Sequence, residues 1–329
     1  MNARPYGVWA RSILSPRARL LPGVGARLAG HPRLAASVLV GLRGLPGRRI
    51  RTAAYHHLSR PLAQRMESRL VVRVAGGARI HVDMSDMMGR VLATSGVWEP
   101  HVTAVFPRLL APGDVCVDVG AHVGYYTLLA SRLVGRNGRV YALEPAEAAY
   151  RALGSNLALN RVSNVTALRI AAGASDGCAL VVDPPPGNSG ESAIRIEKSG
   201  GRDGVLPAAQ SVAVRAVSTL LDPADVARLR LVKIDVEGFE AEVLRGLEPL
   251  LRSGVRPALI VELHPEHVRE AAELLGHWSE AFSFTVYELV RNAYRDRFSP
   301  PCPPRRLMEP TGELRSIRTR RTVNVLLTP

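Results

Sequence analysis

The chain has 329 residues, 47% of them hydrophobic, enough to bury a sizeable core as one large or two modest domains. Its longest apolar run, Leu34 to Leu42, is hemmed in by Arg33 and Arg43 and is too short to span a bilayer. Cys116, Cys178 and Cys302 are far apart and form no C-x-x-C, which argues against a disulfide framework or a cysteine zinc site and fits a reducing, cytoplasmic compartment.

The net charge of +14 is unevenly spread. Residues 1–66 hold twelve arginines and no Asp or Glu, so nearly all the excess lies there. This stretch is expected to be an Arg-rich extension, poorly ordered or associating with a surface. Its charge suits anionic lipid headgroups or nucleic acid, and Trp9, Ile13, Leu14, Leu20, Leu21 and Leu28 offer apolar contacts between the arginines. Arg-rich, acid-poor composition is also that of an organelle-type targeting segment.

Residues 67–110 are expected as a small lead-in. Leu70–Val74, the Gly76-Gly77 turn and Arg79–Val82 predict a β-hairpin, which Met84 to Gly89 breaks. His101 to Leu110 predicts a short helix, with Pro107 weakening its last turn. The main domain is placed at residues 111–329.

The most informative stretch opens that domain. Val115, Val117 and Val119 give a buried strand, and Gly120 and Gly124 a turn that brings backbone close to a ligand. A helix follows through Leu128, Leu129 and Leu133, then the strand Val140–Leu143 with Glu144 at its carboxyl end. An acid there can accept both hydroxyls of an adenosine ribose. The turn lacks the glycine spacing of a dinucleotide or phosphate loop, and Asp118 suits the amino group of an amino-acid-bearing nucleotide better than a phosphate. Asp118, Gly120, Ala121, His122, Gly124, Tyr125 and Glu144 are therefore candidate cofactor residues.

Ala146 to Asn160 is expected to be helical, Val165–Ile170 a third strand, and Asp176 to lie near the adenine. Asp183 to Gly190 predicts a stiff loop, and Ile194 to Val217 antiparallel strands interrupted by Gly200-Gly201. Strand–helix alternation predicts a mostly parallel sheet with right-handed crossovers. Leu231–Ile234 then ends in Asp235 and Glu237, and Pro257–Leu263 in Glu262 and His264, so these acids share the crevice at the carboxyl ends of the strands.

The order DVGAHVGYYT, ALEP, AAGASDG, the Asn188-Ser189-Gly190 loop, VKIDVEGFE and IVELH resembles the FkbM-type methyltransferases over about residues 70 to 329, including a closing strand Val323–Leu327. The resemblance implies a Rossmann-like seven-stranded sheet, S-adenosylmethionine as cofactor and O-methylation of a small-molecule, secondary-metabolite or glycolipid-sugar hydroxyl. The Arg-rich leader is not part of that pattern.

Methyl transfer needs a base for the hydroxyl proton, and Asp235, also a candidate cofactor residue, is the first candidate, with Glu237, Glu262 and His264 as alternatives. Lys233 falls on the same side of its strand as Asp235 and can pair with it. Asp235, Glu262 and His264 could also ligate a divalent metal, though nothing in their spacing demands one. Two rival functions remain: an RNA methyltransferase gripping phosphates through the leader, and a non-catalytic S-adenosylmethionine-binding module. The 5% aromatic content, with no stacking platform in the leader, speaks against the first, and the crevice acids against the second.

Overall fold

A computed structural model describes residues 31–45, 50, 53–54, 60–63, 69–182, 193–196, 209–264, 268–290, 301–307 and 322–329. The expected loop at 183–190, the Gly200-Gly201 interruption and the leader's Trp9 to Leu28 lie outside these residues.

The chain begins with α1 (Pro32–Arg43) and a short α2 (Arg60–Ala63). This part of the stretch expected as a poorly ordered or surface-associating extension is packed onto the body. Ala35, Leu39, Leu62 and Ala63 are buried in one of the two main cores. Arg43 folds back so that its guanidinium donates to the carbonyls of Leu92, Ala93 and Arg73. Leu92 and Ala93 lie in the last turn of a following helix; the Leu92 carbonyl also accepts from the Gly96 amide at 3.0 Å. Burial lowers the Arg43 pKa to about 10.

The hairpin forms as expected, with β1 (Arg69–Arg73) antiparallel to β2 (Arg79–Asp83). The break at Met84–Gly89 contains the start of a helix the sequence reading missed, α3 (Met87–Ser95). Asp86 caps it by accepting from the Met88 and Gly89 amides. The helix expected over 101–110 is instead two short ones, α4 (Pro100–Thr103) and α5 (Phe106–Leu109). Pro107 therefore sits in the first turn of α5, where its missing N–H costs nothing.

Beyond lie β3 (Val115–Val119), α6 (Tyr125–Val134), β4 (Arg139–Leu143), α7 (Glu147–Leu159), β5 (Val165–Leu168), β6 (Ala171–Ala172), β7 (Gly177–Val182), β8 (Ala193–Ile196) and β9 (Ala209–Arg215). Two short helices, α8 (Val217–Leu220) and α9 (Pro223–Val226), lead to β10 (Leu229–Ile234), α10 (Glu240–Arg252), β11 (Ala258–Leu263), α11 (Val268–Ala281), β12 (Thr285–Leu289), β13 (Arg305–Arg306) and β14 (Val323–Thr328).

The main sheet runs β13-β12-β14-β11-β10-β3-β4-β5. It has eight strands rather than the seven expected, because the two-residue β13 pairs along the edge of β12. β5, β4, β3, β10 and β11 are parallel, and β14 enters antiparallel between β11 and β12. The sheet is thus the mostly parallel Rossmann-like sheet expected. The strands expected between 194 and 217 do pair antiparallel, but in a separate four-stranded sheet, β6-β9-β7-β8.

Side-chain alternation divides the main sheet between two cores. Val117, Val232, Ile234, Leu259 and Val261 face α10 and α11. Cys116, Leu231, Ile260 and Leu326 face α6 and the lead-in elements. Cys116 is fully buried in this second core and serves as packing.

Candidate functional site

Where β3 ends, Gly120, His122 and Gly124 all have positive φ (78°, 50° and 89°) and turn the chain into α6. A Cβ on Gly120 would stand 1.8 Å from the Asp235 carbonyl oxygen, so only glycine lets the ends of β3 and β10 run this close. The Gly120 and Ala121 amides donate to the Leu143 carbonyl at 2.9 and 3.0 Å, fastening the turn to the end of β4.

Glu144 follows that strand and is buried. Its Oε2 accepts from the His122 amide at 2.7 Å and its Oε1 from the Ala146 amide at 2.9 Å. Each oxygen keeps a further lone pair for a ligand hydroxyl. Burial pushes its pKa up to about 7, against the pull of the two amides. Tyr125 opens α6 with its hydroxyl 3.1 Å from Thr103 Oγ1, and burial raises its pKa to about 12.

The neighbouring strands carry a buried charge cluster. Lys233 Nζ lies 2.9 Å from Asp235 Oδ2 and 3.9 Å from Asp118 Oδ1, and 4.9 Å above the Tyr126 ring. Burial works against the ammonium, but the Asp235 and Asp118 carboxylates outweigh it and raise its pKa. Asp118 Oδ2 accepts from Thr127 Oγ1 at 2.6 Å, while its buried Oδ1 has no hydrogen-bond partner. The amino group that Asp118 faces here is thus the chain's own Lys233.

Asp235 and Glu262 hydrogen-bond side chain to side chain. Burial would raise both, yet Lys233 more than offsets this at Asp235 and holds it below the usual carboxylate range. Glu262 is pushed well up, by burial first and then by the charges of Asp235 and Glu99. Of the two neighbouring carboxyls, Asp235 is the one that Lys233 holds toward its ionised form, and Glu262 the one that burial and like charge push toward its neutral form.

His264 Nε2 stands 2.9 Å from Glu237 Oε2, a close ion-pair contact made off the hydrogen-bonding line. The Glu237 carboxylate raises the imidazole pKa against burial. Glu237 itself has φ of 51°. Asp176, by contrast, is exposed beside the second sheet and ion-paired with Arg215. Among the described residues, no three or more His, Cys, Asp or Glu side chains are arranged to hold a metal ion.

Three further residues escaped the sequence reading. Glu99, buried between Trp98 and Pro100 with φ of 36°, accepts from the Tyr126 hydroxyl at 3.0 Å and from Asn324 Nδ2 at 3.1 Å. Tyr126 stacks on Phe106 with centroids 5.0 Å apart. Asn324 stands directly opposite Glu262 in the β11–β14 register. A polar Asn inside the apolar strand Val323–Leu327 was the available signal. Glu99, His122 and Glu237 are three of the five non-glycine residues with positive φ among those described, and such backbone strain concentrates at functional sites.

The FkbM methyltransferase domain model matches residues 118–295, more than half of the chain. The protein belongs to the FkbM methyltransferase family. S-adenosylmethionine is its methyl donor. Methyltransferase sdnD of Sordaria araneosa is 31% identical over 182 residues, 48% of this chain and 70% of that protein. The hexuronic acid methyltransferase AglP of Haloferax volcanii is 26% identical over 202 residues, 60% of this chain and 76% of that protein. Among solved structures, M. jannaschii TYW2 with AdoMet aligns with 79% of this chain and 85% of that one, at 14% identity and a TM-score of 0.36.

The donor set fits that cofactor. A strand-end Glu144 with lone pairs to spare, and a backbone turn fastened beside it, suit ribose hydroxyls.

Proposed function

We propose that this methyltransferase transfers its methyl group to a hydroxyl oxygen of a small molecule, secondary metabolite or glycan sugar, with Asp235 receiving the hydroxyl proton. The observation that carries this reading is exposure. Within the buried Lys233–Asp118–Asp235 cluster, the Asp235 side chain is 22% exposed, against 5% for Lys233 and 2% for Asp118. It is the ionised acid of the cluster that an acceptor can reach.

In this assignment Gly120, Ala121, His122 and Gly124 shape the cofactor's bed, Glu144 takes the ribose hydroxyls, and Asp118 and Tyr125 brace the turn. Asp176 would have to leave Arg215 to meet the adenine amino group. Bound there, S-adenosylmethionine supplies an electrophilic methyl carbon. Asp235 accepts a hydrogen bond from the acceptor hydroxyl and helps hold its oxygen at a near-attack distance of about 3 Å. As the O–C bond forms, the hydroxyl proton becomes strongly acidic, so a carboxylate of lowered basicity still takes it. Glu262, pushed well up by burial and by the neighbouring charges, is less suited than Asp235 to be that base.

The reading extends to residues 1–66. Leu34, Val40 and Ile50 are exposed apolar side chains in a stretch with twelve arginines and no acid, which supports peripheral attachment to an anionic surface. Cosedimentation with anionic but not neutral vesicles, lost in high salt, tests it; RNA binding instead would move the role to nucleic acid.

The main test pairs the purified chain and labelled cofactor with a panel of hydroxylated metabolites and neutral sugars. An O-methyl product whose yield collapses in Asp235→Asn is the expected result. Label appearing only on nitrogen or carbon overturns the reading. Profiling a deletion strain for a metabolite that has lost one methyl group identifies the acceptor.

A further inference from the structure

We propose that Asn156 of α7 is a positioning residue for the cofactor turn: it holds the Val123 carbonyl of that turn and is itself held by the lead-in hairpin. This rests on the assignment of the Gly120–Gly124 turn to S-adenosylmethionine given above, and not on the choice of acceptor or base.

The position is one where packing alone calls for an apolar side chain. Ala149, Leu153 and Asn156 follow the helical spacing of one buried face of α7, and Asn156 is wholly buried. Leu153 already packs against the turn, since a Cβ on Gly124 would stand 2.6 Å from its Cδ1. One helical turn further on, Asn156 Nδ2 donates to the Val123 carbonyl at 2.8 Å. Its Oδ1 accepts from the His81 amide of β2 at 2.8 Å and lies 3.0 Å from His81 Nδ1. Only this orientation of the amide satisfies a carbonyl on one side and an N–H on the other. A buried amide is costly unless both of its ends are paired, and here both are.

The hairpin anchors this side chain. β2 gives one edge to β1, and its alternate backbone groups turn the other way, toward α7. There His81 donates to Asn156 Oδ1, while Arg79 donates to Asn160 Oδ1 at 2.8 Å and its carbonyl accepts from Asn160 Nδ2 at 2.6 Å. Four residues of helix rise about 6 Å and two of strand about 7 Å, so the two asparagines meet alternate residues of β2. The other ties described for the turn run to β4 and the acid after it, from the Gly120 and Ala121 amides to Leu143 and from the His122 amide to Glu144. Asn156 adds support from α7, at the residue between the positive φ of His122 and that of Gly124. Such backbone conformations persist only where their surroundings hold them. Without that donor the Val123 carbonyl can rotate away, and the His122 amide one residue before it loses its aim at Glu144.

The test needs no acceptor. Asn156→Leu, close in size and without a donor, should weaken S-adenosylmethionine binding to the full-length protein about tenfold in titration calorimetry, the scale of one lost buried hydrogen bond. Hydrogen exchange of the cofactor-free protein should quicken in the peptide covering Gly120 to Gly124. Asn160→Ala is the matched control, because it cuts the tie between α7 and the hairpin one turn away without touching the cofactor turn. It should lower the melting temperature yet leave both the affinity and the exchange of the turn at wild-type values. If Asn156→Leu fails to fold, Asn156→Ala, which asks no room of its neighbours, is read in the same way. Unchanged exchange of the turn in the folded variant overturns the proposal and leaves the cofactor assignment standing. Faster exchange with unchanged affinity overturns the cofactor assignment of the turn, and the proposal with it. Equal losses of affinity in Asn156→Leu and Asn160→Ala would reduce Asn156 to a structural tie, which also overturns it.

Discussion

The two halves of the crevice are built by different means. On the β3–β4 side the work falls to backbone: two amides of one turn bind Leu143, two amides hold Glu144, and all of it comes from residues 118–146. On the β10–β11–β14 side the work falls to side chains from segments far apart: Asp118, Asp235 and the Tyr126 ring surround the Lys233 ammonium, and Tyr126 links them to Glu99 and, through it, to Asn324. A shared cofactor can be gripped by a local motif. On the proposed reading the acceptor binds on this second side, and a site assembled from remote segments can vary one strand at a time.

The sharpest way to break this division is Asp235→Asn. Loss of the proton acceptor should lower turnover on the order of 10²–10⁴-fold, while cofactor affinity, which belongs to the other half, stays near wild type. The variant also takes from buried Lys233 its nearer partner, so turnover must be scored per folded molecule, with calorimetry alongside. Equal losses of turnover and cofactor affinity would show that the halves are not separable.

Next in size is α1, which packs with the lead-in over the face of the sheet that carries the acids. Leu39 of α1 is 1% exposed, and truncating a leucine so buried should cost about 2–5 kcal/mol in urea unfolding. An unchanged midpoint would mean that α1 is not part of the folded body and would restore the whole of residues 1–66 to the status of an extension.

How much of this was legible in the sequence follows the same division. The glycine turn, Glu144 and the sheet between β3 and β11 were readable because their signals are local: β-branched runs, glycines at fixed spacing, acids at strand ends. Asp235 and its pairing with Lys233 followed from strand alternation alone. Glu99 was not readable, because nothing near Trp98-Glu99-Pro100 shows that β14, more than two hundred residues on, brings Asn324 to it. The α3 helix was missed because Gly89 looks like a breaker. In the fold a Cβ there would stand 1.8 Å from the Asp83 carbonyl oxygen, so glycine is required by packing rather than by a turn.

Glu144 gives a smaller effect on the cofactor side. Glu144→Ala should weaken S-adenosylmethionine binding by roughly 1.5–3 kcal/mol, the range for hydrogen bonds to a charged group, measurable by titration calorimetry. Its pKa of about 7 adds a pH signature. The ribose hydroxyls favour the ionised form, so affinity should tighten as pH rises from 6 to 8 and stay flat in Glu144→Gln. Stability should move the opposite way. A carboxyl whose folded pKa lies above its unfolded value stabilises the fold fully only below that unfolded value, and the contribution is lost as pH rises through 7.

The smallest expected effect comes from His264, and it separates Asp235 from His264 as the base. If Asp235 takes the proton, its lowered pKa leaves it ionised across pH 6–8 and turnover at saturating cofactor should be flat there. If His264 takes it, the imidazole must be neutral. Because Glu237 raises its pKa above the ordinary histidine value, turnover would climb with pH through that raised value. Saturating cofactor matters, since the Glu144 titration acts on affinity and would otherwise imitate the same climb. His264→Asn should then cost less than about tenfold, short of the 10²–10⁴ of a positioned base, and leave the profile flat. A loss of a hundredfold or more, together with a rising wild-type profile that the variant abolishes, would hand the proton to His264 with Glu237 as its orienting acid, and leave Asp235 to hold the hydroxyl in place.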